Sequence, residues 1–306
     1  MQCPICRSHK TQFFKIIDKV SYFECSTCES LFADTDFISD IDSNTNSNYS
    51  DSYWNEEVSA ARERSFGSSI NRVAEVFLYS RIPISRFLDI GTGPGYLLDS
   101  LTHLMPRFKN IFYGVELYPP PEQYRTLHEN YIIGHINDLS GTFSAGVCIE
   151  VIEHLPPEIL RSMINDLSHI SEEGALYYFN SAQPDFVKNE DPNYLDPNIR
   201  GHIVSYSIKA LEPIFLEFGF RIIPLPGRSW GFLAEYSLND KAPNGEQLLQ
   251  RIWTAVPKNS MMLKDNDFGP LMHSIGIESA RCYLEHSIAN ERTKWALSLI
   301  NNNDQR

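Results

Sequence analysis

Residues 87–98 read FLDIGTGPGYLL, a short apolar run that ends at Asp89 and Ile90 and is followed by three glycines at alternate positions. An apolar run, a glycine-rich turn and a second apolar run together predict a buried strand, a tight loop and a helix. Glycines in such a loop let the backbone approach a ligand closely. The stretch therefore predicts a binding loop, and the charge of its ligand decides the class of protein.

The residues around this loop argue against a ligand that contains phosphate. Counted from Gly91, the sixth position is Tyr96, where a dinucleotide-binding loop has glycine or alanine for close helix packing. The loop also lacks the Gly-Lys-Ser/Thr ending of a P-loop. Asp89 would repel a pyrophosphate but attract a cation, by about 4 kcal/mol at about 4 Å before desolvation is subtracted. A cationic nucleoside such as S-adenosylmethionine fits best, and the alternative is a purely structural turn.

Two later acidic residues lie at the ends of predicted strands. Glu116 lies at the end of the run NIFYGVEL, where a carboxylate can accept hydrogen bonds from ribose hydroxyls. Asp138 follows the next strand and is a candidate partner for the exocyclic amine of adenine. The alternative for both residues is an ordinary surface acid at a strand end.

Strands and helices alternate along the chain from residue 86 onward. This order predicts an α/β fold in which a mostly parallel sheet carries helices on both faces. Apolar residues at helical spacing also predict helix between residues 54 and 82, before Pro83, and in much of residues 240–306. The predicted strands span residues 86–91, 110–117, 131–136, 145–152, 175–182, 220–226 and 231–238, and the predicted helices of the core span 95–104, 121–129, 156–170 and 205–218.

Four segments carry a resemblance to a known family. FLDIGTGPGYLL, FYGVEL, CIEVIEHL and GHIVSYSIKALEPIFLEFGFRII are similar to class I S-adenosylmethionine-dependent methyltransferases. The branch it most resembles includes the ubiquinone-biosynthesis O-methyltransferases and many sugar methyltransferases. The resemblance covers about residues 50–235 and implies a Rossmann-like methyltransferase sheet. One departure is Phe143-Ser144-Ala145, where many members have Phe-Asp before the fourth strand.

The resemblance assigns expected roles to residues of this chain. The loop residues would hold the methionine part of the cofactor, Glu116 with Leu117 the ribose, and Asp138 with Leu139 the adenine. Glu150 would face cofactor and substrate. Relatives also use aromatics and an arginine before the core to close over the cofactor, although an ordinary amphipathic helix is the alternative there. The loop residues are Asp89, Gly91, Thr92, Gly93 and Gly95, and the candidates before the core are Tyr49, Tyr53, Trp54 and Arg64, of which Arg64 would pair with the methionine carboxylate.

The segment CIEVIEHL contains two acids and a histidine within five residues, Glu150, Glu153 and His154. Some relatives use this set to hold a divalent cation, and the alternative is that it belongs to the core of the fold. Transfer of a methyl group depends mainly on alignment, and a hydroxyl nucleophile also benefits from a general base. His202 and His154 are the candidate bases, and the alternative for each is a structural role. The long polar loop 181–202 is expected to form a substrate wall that includes Tyr194, Asp196 and Arg200.

Four of the six cysteines form two C-x2-C pairs, Cys3/Cys6 and Cys25/Cys28, separated by 18 residues. This spacing is typical of a zinc site, in which four thiolates close a tetrahedral shell and leave no open position for catalysis. A structural zinc in a small ribbon is therefore expected, and two redox pairs are the alternative. The predicted domains are the ribbon at 1–33, a linker with N-terminal helices at 34–82, the core at 83–239 and a helical extension at 240–306.

Composition restricts the partners of the protein. The net charge of −13 and a pI near 5.1 argue against nucleic acid as a partner, although a protein substrate stays open. No apolar run is long enough for a membrane span, and the N-terminus lacks the apolar core of a signal peptide, so a cytoplasmic location is expected. A homodimer is possible, because residues 240–306 could form a lid, a dimer surface or a second substrate wall.

The expected function is O-methylation of a small molecule such as a sugar, sugar nucleotide or glycan. That choice of substrate rests on the frequent pairing of an N-terminal zinc ribbon with this core in the family that the chain resembles. A quinone or polyketide-type metabolite is the next substrate class. A non-catalytic scaffold built on a methyltransferase fold is the alternative from a different class of protein.

Overall fold

The chain begins with a small antiparallel sheet in the computed structural model, which describes residues 1–38, 51–238, 248–265 and 268–303. For residues 51–57, 249 and 301–303 it describes the backbone alone. The strands are β1 (Thr11–Ile17), β2 (Val20–Cys25) and β3 (Leu31–Ala33). Strands β1 and β2 form a hairpin, because Asp18 and Lys19 between them adopt φ angles of 51° and 72°. Positive φ values at both central positions give the tight turn that joins two antiparallel strands.

A seven-stranded sheet follows and forms the centre of the fold. Its order is β10-β11-β8-β7-β4-β5-β6, and all strands run in the same direction except β11, which pairs antiparallel with both β8 and the edge strand β10. The predicted α/β class, with helices on both faces of the sheet, is confirmed. Its strands are β4 (Phe87–Ile90), β5 (Phe112–Glu116), β6 (Tyr131–Ile133), β7 (Phe143–Ile149), β8 (Ser171–Asn180), β10 (Phe220–Pro224) and β11 (Gly231–Tyr236), and β9 (Val204–Ser205) instead pairs with β3 of the small sheet.

The helices surround this sheet. In the part of the chain that the structure describes, none of them is apolar over a length that would cross a bilayer. They are α1 (Asp51–Phe66), α2 (Ser68–Tyr79), α3 (Tyr96–Leu104), α4 (Pro157–His169), α5 (Pro184–Asn189), α6 (Ile208–Glu217), α7 (Leu248–Trp253), α8 (Pro257–Lys264) and α9 (Gly269–Asn303).

The helix expected over residues 121–129 is wrong, since this segment contains only a 3-10 turn at Glu122–Tyr124. Residues 119–121 are three consecutive prolines, which cannot donate backbone hydrogen bonds. The Arg125 side chain donates to the Pro120 carbonyl at 2.6 Å, and the Thr126 backbone N–H donates to the Pro94 carbonyl at 2.8 Å. These bonds hold the segment in an extended path against the glycine loop.

Strand alternation divides the apolar residues between two cores. In β8, Leu176 and Tyr178 face α2, α3 and the C-terminal helices, whereas Tyr177 and Phe179 face α4, α6 and the small sheet. The extension therefore packs on one face of the central sheet through α2. At Gly276 in α9 an added Cβ would lie 2.8 Å from the Ala74 Cβ, so the two helices touch closely.

The order of the strands determines where a ligand site can form. Strand β4 lies between β5 and β7, and the chain builds outward from it first toward β6 and then toward β8. In open α/β sheets the crevice at such a switch point, at the carboxyl ends of the strands, is where ligands bind. The glycine loop lies directly after β4 and therefore borders this crevice.

Candidate active site

A cleft of about 370 Å³ opens at the carboxyl ends of β4, β5 and β7, and we call it the first cleft. Most of the residues predicted to bind the cofactor line it. The lining includes Arg64, Asp89, Gly91, Thr92, Gly93, Glu116, Leu117, Gly134, His135, Ile136, Glu150, Val151 and His154.

The glycine loop needs glycine for both conformation and space. Gly91, Gly93 and Gly95 have φ angles of 67°, 56° and 80°, in the left-handed region that side chains disfavour. A Cβ at Gly91 would lie 2.6 Å from a methyl group of Val151, and a Cβ at Gly95 would collide with Thr126. Gly95 also precedes the first residue of α3, so the loop leads directly into that helix.

Asp89 forms the floor of the first cleft beneath the loop. Its side chain accepts a hydrogen bond from the Thr92 hydroxyl at 2.7 Å. Gly114 in the neighbouring strand makes room for this contact, because a Cβ there would lie 2.8 Å from the Thr92 Oγ1. Asp89 is 5% exposed, and burial raises the pKa of its carboxyl to about 7, with a smaller contribution from the nearby Glu116. A cation bound beside Asp89 would favour its ionised form.

Glu116 is held at the tip of β5 by the backbone. Its two carboxylate oxygens accept hydrogen bonds from the N–H groups of Gly93 and Tyr118, at 2.7 Å and 2.8 Å. Burial raises the pKa of Glu116, whereas these hydrogen bonds oppose the rise. The carboxylate therefore has a fixed position in the first cleft, and its oxygens can each accept a further bond.

The structure places the two residues expected at adenine outside the first cleft. The Asp138 side chain accepts a hydrogen bond from the His135 N–H at 2.7 Å and caps the short turn Ile136–Asp138. The Leu139 side chain is buried in the core. Gly134, His135 and Ile136 line the cleft at this point instead.

Glu150 lies at the end of β7, between the first cleft and a second one. Its φ is 54°, which is rare for a residue with a side chain and marks backbone strain of about 1–3 kcal/mol. The Asn180 amide donates to one carboxylate oxygen at 2.6 Å, and the Tyr194 hydroxyl lies 3.3 Å from the other. This strained position turns the Glu150 carboxylate toward the place where the two clefts meet.

Behind Glu150 lies a buried cluster of Glu153, His154 and His202, whose ligand atoms lie within 4.8 Å of one another. The Tyr194 hydroxyl donates to one Glu153 oxygen at 2.7 Å, and the other oxygen has no partner among the described residues. Burial raises the pKa of Glu153 well above its usual value and lowers that of His154 to about 4. The residue that completes this cluster is His202, in place of the Glu150 of the sequence-based set.

The two candidate bases differ in access. His154 lines the first cleft, whereas His202 lines neither cleft and is 4% exposed. The His202 Nδ1 lies 2.7 Å from the Tyr194 carbonyl, and burial lowers the pKa of His202 well below its usual value. The rings of the two histidines are 4.8 Å apart. His154 is thus the histidine within reach of a bound ligand, and His202 packs behind it.

The region before the core is described in part. Arg64, on α1, lines both clefts. Tyr53 and Trp54 lie on the same helix, where their side chains fall outside the described part of the structure, and Tyr49 falls outside the described residues. The roles proposed for these three aromatic residues stay predictions.

The second cleft, of about 350 Å³, adjoins the first. Of the three residues expected in the substrate wall, Tyr194 and Arg200 line it, and Asp196 does not. The Asp196 carboxylate instead accepts hydrogen bonds from the N–H groups of residues 198 and 199. Sequence reasoning missed Arg72, Phe186 and Trp230, which also line this cleft.

The four paired cysteines converge at the N-terminus. The Sγ atoms of Cys3 and Cys28 are 3.7 Å apart, and those of Cys6 and Cys25 are 3.5 Å apart. Four sulfurs about 2.3 Å from a central zinc would be about 3.8 Å apart, so the spacing fits a tetrahedral ion. The residue after each pair, Arg7 or Glu29, has a φ above 60°, so both loops turn in the same way.

The small sheet containing these cysteines contacts the wall of the second cleft. Strand β3 pairs with β9, and the Tyr22 hydroxyl donates to the His202 carbonyl at 2.7 Å. An ion pair of 2.6 Å also joins Lys188 to Glu24.

Comparison with known proteins gives one family match. The family model described as "Methyltransferase domain" matches residues 54–225. No curated protein matches the chain.

Solved structures that resemble the chain do so at low identity. An amino pentose methyltransferase from Micromonospora echinaspora with bound SAM, CalS10, is 16% identical with a TM-score of 0.46, over 60% of this chain and 96% of that one. Magnesium protoporphyrin IX methyltransferase from Synechocystis PCC 6803 with bound SAH is 16% identical with a TM-score of 0.41, over 67% and 100%. Streptomyces venezuelae DesVI is 17% identical with a TM-score of 0.42, over 58% and 94%. At these values the likeness carries no argument about substrate.

Proposed function

The chain belongs to the methyltransferase-domain family, and from this premise we propose that it methylates a hydroxyl of a small molecule where its two clefts meet. The predicted enzyme class, an S-adenosylmethionine-dependent methyltransferase, is confirmed at the level of the family. The residues that hold the cofactor and the identity of the substrate are proposed below.

The buried carboxylate of Asp89 carries the proposal for the cofactor site. S-Adenosylmethionine has an ammonium and a sulfonium group and no phosphate, so it complements an anion beneath a glycine loop. Glu116 is placed to accept ribose hydroxyls at the tip of β5. Backbone and side chains at residues 134–136 border the position of the adenine, in place of the Asp138 carboxylate. In this proposal Arg64, which lines the first cleft, pairs with the methionine carboxylate.

Glu150 and His154 are the proposed residues on the acceptor side. The cofactor supplies an electrophilic methyl group when it is bound. Glu150 lies between the clefts and can accept a hydrogen bond from the acceptor hydroxyl, which orients its oxygen. The pKa of about 4 keeps His154 neutral at physiological pH, so its imidazole is free to accept a proton, but the same shift makes it a weaker base than an ordinary histidine. His202 acts as a packing partner of His154 in this scheme.

We propose that the four cysteines hold one structural zinc ion. Their spacing fits a tetrahedral shell of thiolates, which leaves no position for a substrate. The ion would stabilise the small sheet that contacts the acceptor side of the site. Under half an equivalent of zinc in freshly purified, unchelated protein would argue against this assignment.

The acceptor class that we favour is a sugar, sugar nucleotide or glycan, with a quinone or polyketide-type metabolite as second choice. Polar groups line the second cleft on several sides, including Asn180, Arg72 and Arg200, which suits an acceptor with many hydroxyl groups. A screen with labelled cofactor across sugar nucleotides, phenols and cell extracts tests this choice. Transfer to phenols alone would overturn it.

Calorimetry with S-adenosylmethionine tests the cofactor site. Asp89→Asn removes a buried anion beside a cationic ligand, and we expect its Kd to rise by at least about thirtyfold, from a loss of about 2 kcal/mol or more. Asp138→Asn changes a side chain outside the cleft and should bind nearly as tightly as the wild type. Equal losses in both variants would restore the adenine role of Asp138. Absence of binding to the wild type would favour the scaffold alternative.

A further inference from the structure

The second cleft is continuous with the first and differs from it in charge. Both clefts share Arg64, Ser69, Ile149 and Glu150 in their linings. The second cleft is lined by three arginines and two carboxylates, in a chain whose net charge is −13. A local excess of positive charge in so acidic a protein needs a physical explanation.

Arg72 is the cation that is held most firmly in this cleft. Its guanidinium stacks on the Trp230 ring, 4.1 Å from the centroid. Its Nε donates to the Asn180 Oδ1 and its Nη1 to the Ser68 carbonyl, both at 3.2 Å. Among the side chains that the structure describes, no carboxylate pairs with Arg72. These neutral contacts fix the guanidinium in a half-buried position without neutralising its charge.

A nearby arginine shows what a neutralised one looks like in this protein. Arg228 stacks on the same Trp230 ring at 4.6 Å, and Glu75 binds it through two hydrogen bonds of 2.8 Å. Both side chains of that pair are fully buried. The fold therefore gives a carboxylate to the arginine that is shut off from solvent, and leaves Arg72 open toward the cleft.

The carboxylates of the second cleft are already occupied. Glu150 accepts a hydrogen bond from Asn180 at 2.6 Å and lies 3.3 Å from the Tyr194 hydroxyl. Asp191 pairs with Arg200 at 3.4 Å, and its other oxygen accepts from a backbone N–H at 3.1 Å. Asp191 is therefore balanced by Arg200, whereas Glu150 has neutral partners and keeps its negative charge where the two clefts meet. The cation of the second cleft that has no ion pair among the described side chains is Arg72, which shares Asn180 with Glu150.

We propose that the second cleft binds the acceptor through an anionic group, a phosphate or a carboxylate, that Arg72 contacts directly. The inference rests on the proposed function, because it takes the second cleft as the acceptor side. Arg200 at the rim is paired with Asp191 and adds little net charge, and the rings of Phe186 and Trp230 border the same space. An anion at Arg72 leaves the neutral part of the acceptor beside Glu150. This favours sugar phosphates, nucleoside diphosphate sugars and uronic acids over neutral quinones.

Titration of small anions tests the proposal on the full-length protein saturated with S-adenosylhomocysteine. Inorganic pyrophosphate and glucuronate serve as the phosphate and carboxylate probes, by calorimetry at low ionic strength. Arg72→Gln should weaken the probe that the cleft prefers by about tenfold or more, since a charged hydrogen bond is lost. Arg72→Lys keeps the charge and loses the planar stack on Trp230. Its affinity for the anion should lie between those of the wild type and Arg72→Gln.

Arg107→Gln is the matched control, because Arg107 is exposed, pairs with Asp265 at 3.0 Å and lines neither cleft. This variant removes the same charge and should leave the affinities for pyrophosphate and glucuronate unchanged. The proposal is overturned if neither anion binds the wild type. It is also overturned if Arg72→Gln binds the anion as tightly as the wild type does, or if Arg107→Gln loses as much anion affinity as Arg72→Gln. A stable fold in every variant is checked by thermal unfolding.

The outcome separates this inference from the proposed function. Arg72 lines only the second cleft, so Arg72→Gln should keep its affinity for S-adenosylhomocysteine. Failure of cofactor binding together with anion binding that depends on Arg72 would reject the methyltransferase site and keep the anion site. Cofactor binding without any anion binding would keep the methyltransferase site and reject the anion site.

Discussion

The first and second clefts adjoin one another but have opposite electrostatic character. The floor of the first cleft contains two carboxylates, the buried Asp89 and the half-buried Glu116, under a loop of glycines. The wall of the second contains Arg72 with no carboxylate of its own among the described side chains. Glu150 lies between them. The difference shows how one continuous cavity can sort a cationic ligand from an anionic one, with the site of reaction where the two meet.

The two clefts also differ in how the chain builds them. The first is formed mainly by loops at the ends of three adjacent parallel strands. The second brings together α2, the end of β8, the loop 190–200 and the loop before β11. A cleft made from distant segments depends more on long-range packing, so we expect the second cleft to be the more sensitive of the two to changes elsewhere in the fold.

The largest expected effect comes from the buried ion pair behind the second cleft. Glu75→Gln leaves the Arg228 charge uncompensated in a fully buried position, which should cost about 3–5 kcal/mol of unfolding free energy. Urea unfolding measures the loss. In the matched control, Glu129→Gln, the broken pair with Lys109 is exposed and 3.8 Å long, and the expected change is below about 1 kcal/mol. Similar losses in both variants would contradict the role of burial.

The second prediction separates the clefts by pH. Because the pKa of Asp89 is raised to about 7 in the ligand-free protein, and a cation binds its ionised form, affinity for S-adenosylmethionine should fall as pH drops below 7. The limit is about tenfold per pH unit for one proton. Glucuronate binding should stay level between pH 5.5 and 8, since a guanidinium side chain is protonated throughout this range.

Calorimetry across this pH range provides the measurement, and Asp89→Asn provides the control. Removal of the titrating group should abolish the slope for the cofactor. The same raised pKa makes the ligand-free protein less stable as pH rises from the usual aspartate value of 3.8 to about 7, because the buried group must ionise. An unchanged slope in Asp89→Asn would assign the titration to another group.

The smallest effect is expected on removal of the proposed zinc. The small sheet contacts the segments that lie behind the lining of the second cleft, through β9, through the Tyr22 bond to His202 and through the Lys188–Glu24 pair. Chelation should therefore weaken glucuronate binding by several-fold, under about tenfold, and leave cofactor binding within about twofold. Cys28→Ser should have the same effect, and Cys282→Ser, which changes an exposed lone cysteine, should not. If chelation weakened cofactor binding more than glucuronate binding, the zinc would support the first cleft more than the second, contrary to this prediction.

Sequence reasoning worked where the physical cause is local. The glycines at 91, 93 and 95 form the predicted tight loop between a strand and a helix, and their φ angles lie in the left-handed region. It failed over residues 121–129, where three prolines and the bond from Thr126 to the Pro94 carbonyl favour an extended path. Asp138 was expected at adenine because it follows a strand. The short turn that it caps points its carboxylate at the His135 N–H instead.

By itself the sequence determined the elements whose causes lie within a few residues: the strand, glycine loop and helix around Asp89, the alternation of the α/β core, and the spacing of the cysteine pairs. Only the tertiary structure decided that His202 is buried behind His154, and that Arg72 stacks on Trp230 without a carboxylate partner among the described side chains. These contacts join residues far apart in the chain. No local propensity encodes them, because burial and charge pairing arise only when the separate segments pack together.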